Sequence, residues 1–153
     1  MSDKKEKLIY VASPLGDIDT AKVYHNMYKA REYMSILSML DGIKAIAPHA
    51  FLPHILDDHD KKQRSLGLEF GQKFLALCDM LVLIVSGVKT TWSLTTGMLA
   101  EMETAEKLGI PIMYLSVTEI TQIKSDFSIK GVPSDPTVKN LVDMLRGAVG
   151  LAV

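Results

Sequence analysis

The sequence has little cysteine, few aromatics and no excess of charge of either sign. A single cysteine, Cys78, in 153 residues excludes an intrachain disulfide framework and fits a reducing compartment, so a cytoplasmic location is expected. Seventeen basic residues against 18 acidic ones, a formal net charge of -1, leave no electrostatic footprint for nucleic acid or an anionic membrane. No stretch approaches the ~18 consecutive apolar residues of a membrane helix. The charged start Met1 to Lys7 runs straight into Leu8-Ile9-Tyr10-Val11-Ala12, with no apolar region before a small-residue cleavage site, so no secretory signal is expected. Dinucleotide (GxGxxG), P-loop (GxxxxGK[ST]), zinc-protease (HExxH) and serine-hydrolase (GxSxG) spacings are all missing, and no repeat or low-complexity tract is present.

What is there fits one domain over residues 1–153. At 48% hydrophobic content, a chain of this length buries enough surface to hold its core without a structural metal. Leu8 to Ala12 reads as a buried strand that ends in the loop Ser13 to Asp19. Val23, Met27, Ala30, Met34 and Leu37 recur at three and four residues, predicting a helix from Thr20 to about Leu40, stopped by Asp41-Gly42. Ile43 to Ala47 is a second strand. The segment from Pro48 to Asp60 holds two prolines, three histidines and three aspartates, so it is a structured loop rather than a plain helix or strand. Asp60 can cap a helix to about Leu77, with Leu66, Phe70, Phe74 and Leu77 on one face.

Asp79 to Val85 is the clearest central strand. A polar loop, Ser86 to Ser93, follows it, then a helix from Leu94 to Leu108 closed by Gly109 and a strand from Ile110 to Leu115. Beyond Ser116 the pattern is weaker: polar to Gly131, a turn at Pro133 to Pro136, and a closing helix over Val138 to Leu145. Alternating strands and helices predict an α/β domain: a doubly wound, flavodoxin- or Rossmann-like parallel sheet of four to five strands, with helices on both faces. The apolar end Gly147 to Val153 points to burial in a neighbouring subunit, hence a homo-oligomer.

In such a sheet the ligand sits beyond the carboxyl ends of the strands, where the loops after Ala12, Ala47 and Val85 emerge. One carboxylate stands out beside them. Leu94, Met98, Glu101, Ala105 and Leu108 share a three-or-four spacing, so Glu101 lies among apolar residues while Glu103 and Glu106 do not. An inward carboxylate is either paired at a rim or placed in a functional cleft. His49, His54 and His59, spaced five apart among Asp57, Asp58 and Asp60, fit no metal-site spacing, so no metal and no cofactor are expected. His49 and a loop aspartate, Asp57 or Asp58, suit either contact with sugar hydroxyls or bracing of the loop. Ser13 can donate to a ligand or cap a turn. Arg31 can reach a phosphate or pair with an acidic neighbour, and Trp92 can stack on a base or pack against a second subunit.

Taken in order, Leu8-Ile-Tyr-Val-Ala-Ser13-Pro14, Asn26 with Ala30-Arg31-Glu32-Tyr33, Pro48-His49, Cys78-Asp79, Gly97-Met98 with Glu101 and Ala105, and Gly109-Ile-Pro-Ile resemble the nucleoside 2-deoxyribosyltransferase-like superfamily, and more narrowly its phage and bacterial branch. The resemblance covers residues 8 to 115. It implies that Glu101 is a nucleophile at C1′ of a deoxyribosyl group, that water or a second base resolves the glycosyl-enzyme, and that Tyr10 orients the glutamate. It also implies a partner that is a small nucleoside or nucleotide rather than nucleic acid or membrane. The candidate substrate-binding set is Ser13, Pro14, Asn26, Arg31, His49, Asp57, Asp58, Asp79, Trp92, Gly97 and Met98, although Asp79, which opens the central strand, reads first as a structural residue at the strand mouth. The chain departs from the pattern at Gly71, eight residues before Asp79, where such enzymes carry an aspartate that handles the proton of the departing base. Asp57, Asp58, Glu69 or a histidine of the second loop is left to replace it. A nucleotide-binding module without turnover is the rival expectation.

Overall fold

The computed structural model describes residues 6–14, 19–57, 59–130 and 135–151. Four strands form one parallel sheet in the spatial order β2-β1-β3-β4: β1 Lys7–Ala12, β2 Ile43–Ile46, β3 Met80–Val85 and β4 Ile112–Ser116. Tyr10 pairs with Ile46 on one side and Leu81 on the other, and Val82 with Met113. Helices α1 Thr20–Ser38, α2 Lys61–Ala76, α3 Thr96–Leu108, α4 Val117–Lys130 and α5 Pro136–Ala148 complete the α/β architecture. Short 3-10 turns interrupt the loops at Pro48–Ala50, Leu52–His54 and Thr91–Ser93. Among the described residues no helix is long and apolar enough to cross a membrane.

Strand alternation divides the core. Ile9 and Val11 of β1 face a cluster with Ala30 and Leu37 of α1, Ile120 and Ile123 of α4, and Leu141 and Leu145 of α5. Tyr10 and Ala12 face the other side, with Leu75 of α2 and Met98 and Ala105 of α3. The all-apolar β3 is buried along its whole length, as a strand covered on both faces must be.

Helix starts follow local chemistry. The Asp60 carboxylate accepts from the N–H groups of Lys62 and Gln63, Asp135 caps α5 in the same way, and the Thr95 hydroxyl accepts from Met98 N–H. Gly109 closes α3 in the left-handed conformation, at φ 69, where a side chain would be strained. The polar stretch after Ser116 is the helix α4, started by a reciprocal pair in which Glu119 accepts from Ser116 N–H and Ser116 Oγ accepts from Glu119 N–H.

Two expectations are corrected. Leu66, Phe70 and Leu77 of the second helix are exposed, and the residues of α2 that are buried are Gly71 and Leu75. The helix turns this face inward because Gly71 lets its backbone approach the Tyr10 phenol, an approach that a side chain there would block. The apolar tail, through Leu151, folds back on its own chain: Val149 is buried and Leu151 packs against the α1/α4/α5 core. Val149 is thus covered by its own chain.

Candidate functional site

Where the strand order reverses, between β1 and β3, three loops meet at the carboxyl edge of the sheet. In doubly wound sheets this edge is where ligands bind. Glu101 arrives there from α3, whose inward stripe is Met98, Glu101 and Ala105. Its residue exposure is 5%, and neither carboxylate oxygen has a hydrogen-bond partner among the described residues. Burial pushes its pKa up from the usual 4.5, against smaller downward pulls from His49 and Tyr10. A buried carboxylate without hydrogen bonds costs several kcal/mol in an interior, so its presence calls for a chemical use or a ligand.

Three groups surround it. The Tyr10 phenol, buried under α2, is held well above its ordinary pKa by burial and then by the Glu101 charge. A Cβ placed on Gly71 would lie 2.9 Å from the Tyr10 hydroxyl oxygen, so position 71 is the space that the phenol occupies. His49, in the turn after β2, has Nδ1 2.8 Å from the carbonyl oxygen of Ser13 and Nε2 3.8 Å from Glu101 Oε1. Ser13, directly after β1, is itself buried, and its hydroxyl has no partner among the described residues. Two unpartnered polar side chains at one strand edge form an unfilled set of donors and acceptors.

The rest of the candidate set is dispersed. Met98 is fully buried in the α2/α3 core, Gly97 lies one residue before it in the first turn of α3, and Pro14 is exposed next to Ser13. Asn26 and Arg31 belong to α1, which covers the opposite face of the sheet, and Arg31 is exposed there. Asp79 precedes β3, and its Oδ2 accepts from Leu8 N–H at 2.9 Å. It therefore ties the entrances of β1 and β3 together, which is the structural role at the strand mouth expected of it. Trp92 is 95% exposed in the loop after β3, which is fastened to α4 by Lys89 Nζ at 2.6 Å from Glu119 Oε1.

The three loop histidines go separate ways. Only His49 reaches Glu101; the His54 ring lies 6.2 Å from that of Tyr24, and His59 Nδ1 lies 4.0 Å from Asp57 Oδ1. His54, His59, Asp57, Tyr24, Leu56 and Gln63 line a separate cleft of about 460 Å³ between the start of α1 and the start of α2. Asp58 lies outside the described residues. Glu69 is exposed on α2, so of the groups considered as substitutes for an acid at position 71, His49 is the one that meets the carboxylate. Cys78 donates to the Phe74 carbonyl at 3.2 Å, and burial followed by the Asp79 charge pushes its thiol up to about 12, which leaves it an unreactive thiol.

No curated protein matches the chain. Among solved structures it is similar to a 2-deoxyribosyltransferase from the psychrotolerant bacterium Bacillus psychrosaccharolyticus, at 20% sequence identity and a TM-score of 0.48, over 71% of this chain and 72% of that one. The part that carries Tyr10, Ser13, His49 and Glu101 lies within residues 7–115, which match the family model described as Domain of unknown function (DUF7768), and the chain belongs to that family.

Proposed function

We propose that the protein cleaves or exchanges the N-glycosidic bond of a (deoxy)nucleoside or nucleotide, with Glu101 as the nucleophile. The observation that carries this reading is a carboxylate buried at the ligand-binding edge of the sheet with both oxygens unpartnered. A carboxylate placed for structure would be satisfied by backbone N–H groups or a cation. The ordered motif series along residues 8 to 115 supports the same chemistry.

In the first step a Glu101 oxygen attacks C1′. The C1′–N bond breaks with its electron pair going to the base, which takes up a proton from water, and a glycosyl ester forms on Glu101. In the second step water or another base attacks C1′, loses a proton, and returns the electron pair of the ester bond to the carboxylate. Tyr10 orients the carboxylate from the α2 side, Ser13 offers its free hydroxyl to the sugar, and the exclusion of water around Glu101 strengthens each contact.

A non-catalytic nucleotide-binding module is the second reading, and one observation favours it: the place of a proton-handling side chain at position 71 is taken by the Tyr10 phenol. Purified protein incubated with deoxynucleosides and their 5′-monophosphates, with and without a second free base, separates the two. Base release that is lost in Glu101→Gln supports the glycosidic reading, and a swapped base makes the enzyme a transferase. Tight nucleotide binding with no product in wild type, and unchanged affinity in Glu101→Gln, would overturn it in favour of the binding module. We also propose a homo-oligomer, with the exposed stripe Leu66, Phe70 and Leu77 of α2 as its contact.

A further inference from the structure

Glu101 has to be ionised to attack carbon, yet the fold buries it beside a phenol, Tyr10, that stays protonated and can steady a carboxylate but not take its proton. A nucleophile so placed needs a group that takes its proton and stays beside it. The candidates are the titratable groups packed around it: Tyr10 from β1, with Cys78 behind the phenol, and His49 from the turn after β2. From α2, Gly71 faces the phenol, and a glycine has no side chain to titrate. Tyr10 and Cys78 are acids whose burial keeps them protonated, so neither can accept a proton from a carboxyl.

His49 can, and its orientation is already set. A carbonyl oxygen only accepts, so the 2.8 Å contact with Ser13 requires Nδ1 to carry the hydrogen. The neutral ring then has its lone pair on Nε2, the atom 3.8 Å from Glu101 Oε1. Fixing one ring nitrogen on a backbone carbonyl in order to define the other is the way histidines are tuned for proton transfer.

We propose that His49 is the proton partner of Glu101: once a small turn of the side chains, or one bridging water, closes the 3.8 Å between them, Nε2 takes the carboxyl proton, leaving a carboxylate nucleophile beside an imidazolium that remains hydrogen-bonded to Ser13. The inference rests on Glu101 being the nucleophile. The transfer is balanced within the pair: the O–H bond of the carboxyl breaks, an N–H bond forms on Nε2, and no outside acid or base is required. His49 acts through Glu101, so it is a positioning residue. It also explains why Ser13 is buried directly after β1, where its carbonyl is the support that aims the ring.

The test is an infrared titration of the full chain without substrate, following the carbonyl stretch of the protonated carboxyl, assigned by its loss in Glu101→Gln. His49→Asn keeps an N–H donor for the Ser13 carbonyl and removes Nε2. The expected result is a band that persists to higher pH than in wild type by at least about one unit, a tenfold fall in the ionisation constant. An unchanged midpoint in a folded His49→Asn protein overturns the proposal. Should that variant not fold, His49→Gln gives the same reading with the same two outcomes. Because no substrate is used, failure of the nucleoside panel and failure of this pairing are seen in separate experiments.

Discussion

Replacing Glu101 by glutamine should make the protein more stable while removing its chemistry. The side chain is buried, both oxygens lack partners, and burial raises its pKa. The folded state therefore keeps the proton over a pH range in which the unfolded chain has already released it. Stability lost to this group is absent below its usual value of 4.5, grows as pH rises toward the raised folded value, and is constant above it. Glutamine has nearly the same shape and no charge to desolvate. A buried, unsatisfied group costs about 1–3 kcal/mol, more when charged, so a gain of about 2 kcal/mol is expected at pH 7. For a chain of this length that is a rise in Tm of about 4–8 °C. Calorimetric melts of both proteins at pH 4 and pH 7 check it: the two Tm values should nearly coincide at pH 4 and separate at pH 7. A variant less stable than wild type at pH 7, or one with the same difference at both pH values, would refute the reasoning that desolvation of Glu101 outweighs its contacts with His49 and Tyr10.

Two glycines of α2 predict opposite signs. Gly71→Ala places a methyl group 2.9 Å from the Tyr10 hydroxyl oxygen and should destabilise by about 1–3 kcal/mol, whereas Gly67→Ala meets Leu56 Cδ1 at an ordinary 3.7 Å and should stabilise by up to about 1 kcal/mol through helix propensity; urea unfolding of the pair reads both. Asp60→Ala removes the acceptor for Lys62 and Gln63 N–H and should cost about 0.5–2 kcal/mol in the same assay. Phe70→Glu on the exposed face of α2 should shift an oligomer to monomer in sedimentation velocity with the melting curve nearly unchanged, and an unaltered sedimentation profile would remove that face as the contact.

How far the sequence could be read depends on what each pattern encodes. β3 and the inward turn of Glu101 are legible because burial there repeats along one element: six successive apolar residues, and a three-or-four spacing through Met98, Glu101 and Ala105. The same reasoning fails on α2. Periodicity ranks faces by side-chain size, so it favours Leu66, Phe70 and Leu77, while the packing is decided by a glycine that carries no hydrophobic signal and whose value lies in the backbone approach it allows. Gly71, met in the sequence as the absence of an acid, is in the fold the socket of the Tyr10 phenol. Asp79 is legible in part: its place at the opening of β3 marks a structural role at the strand mouth, while its partner, the Leu8 N–H, is a backbone group that the side-chain pattern does not name. His49 shows the remaining gap. Its link to Glu101 spans 52 residues of sequence and passes through a backbone carbonyl, the one group every residue carries, so nothing in the side-chain pattern marks it. The chemistry at this edge thus depends most on the contacts that composition and spacing encode least, which is why the pairing of His49 with Glu101 has to be read from the folded chain.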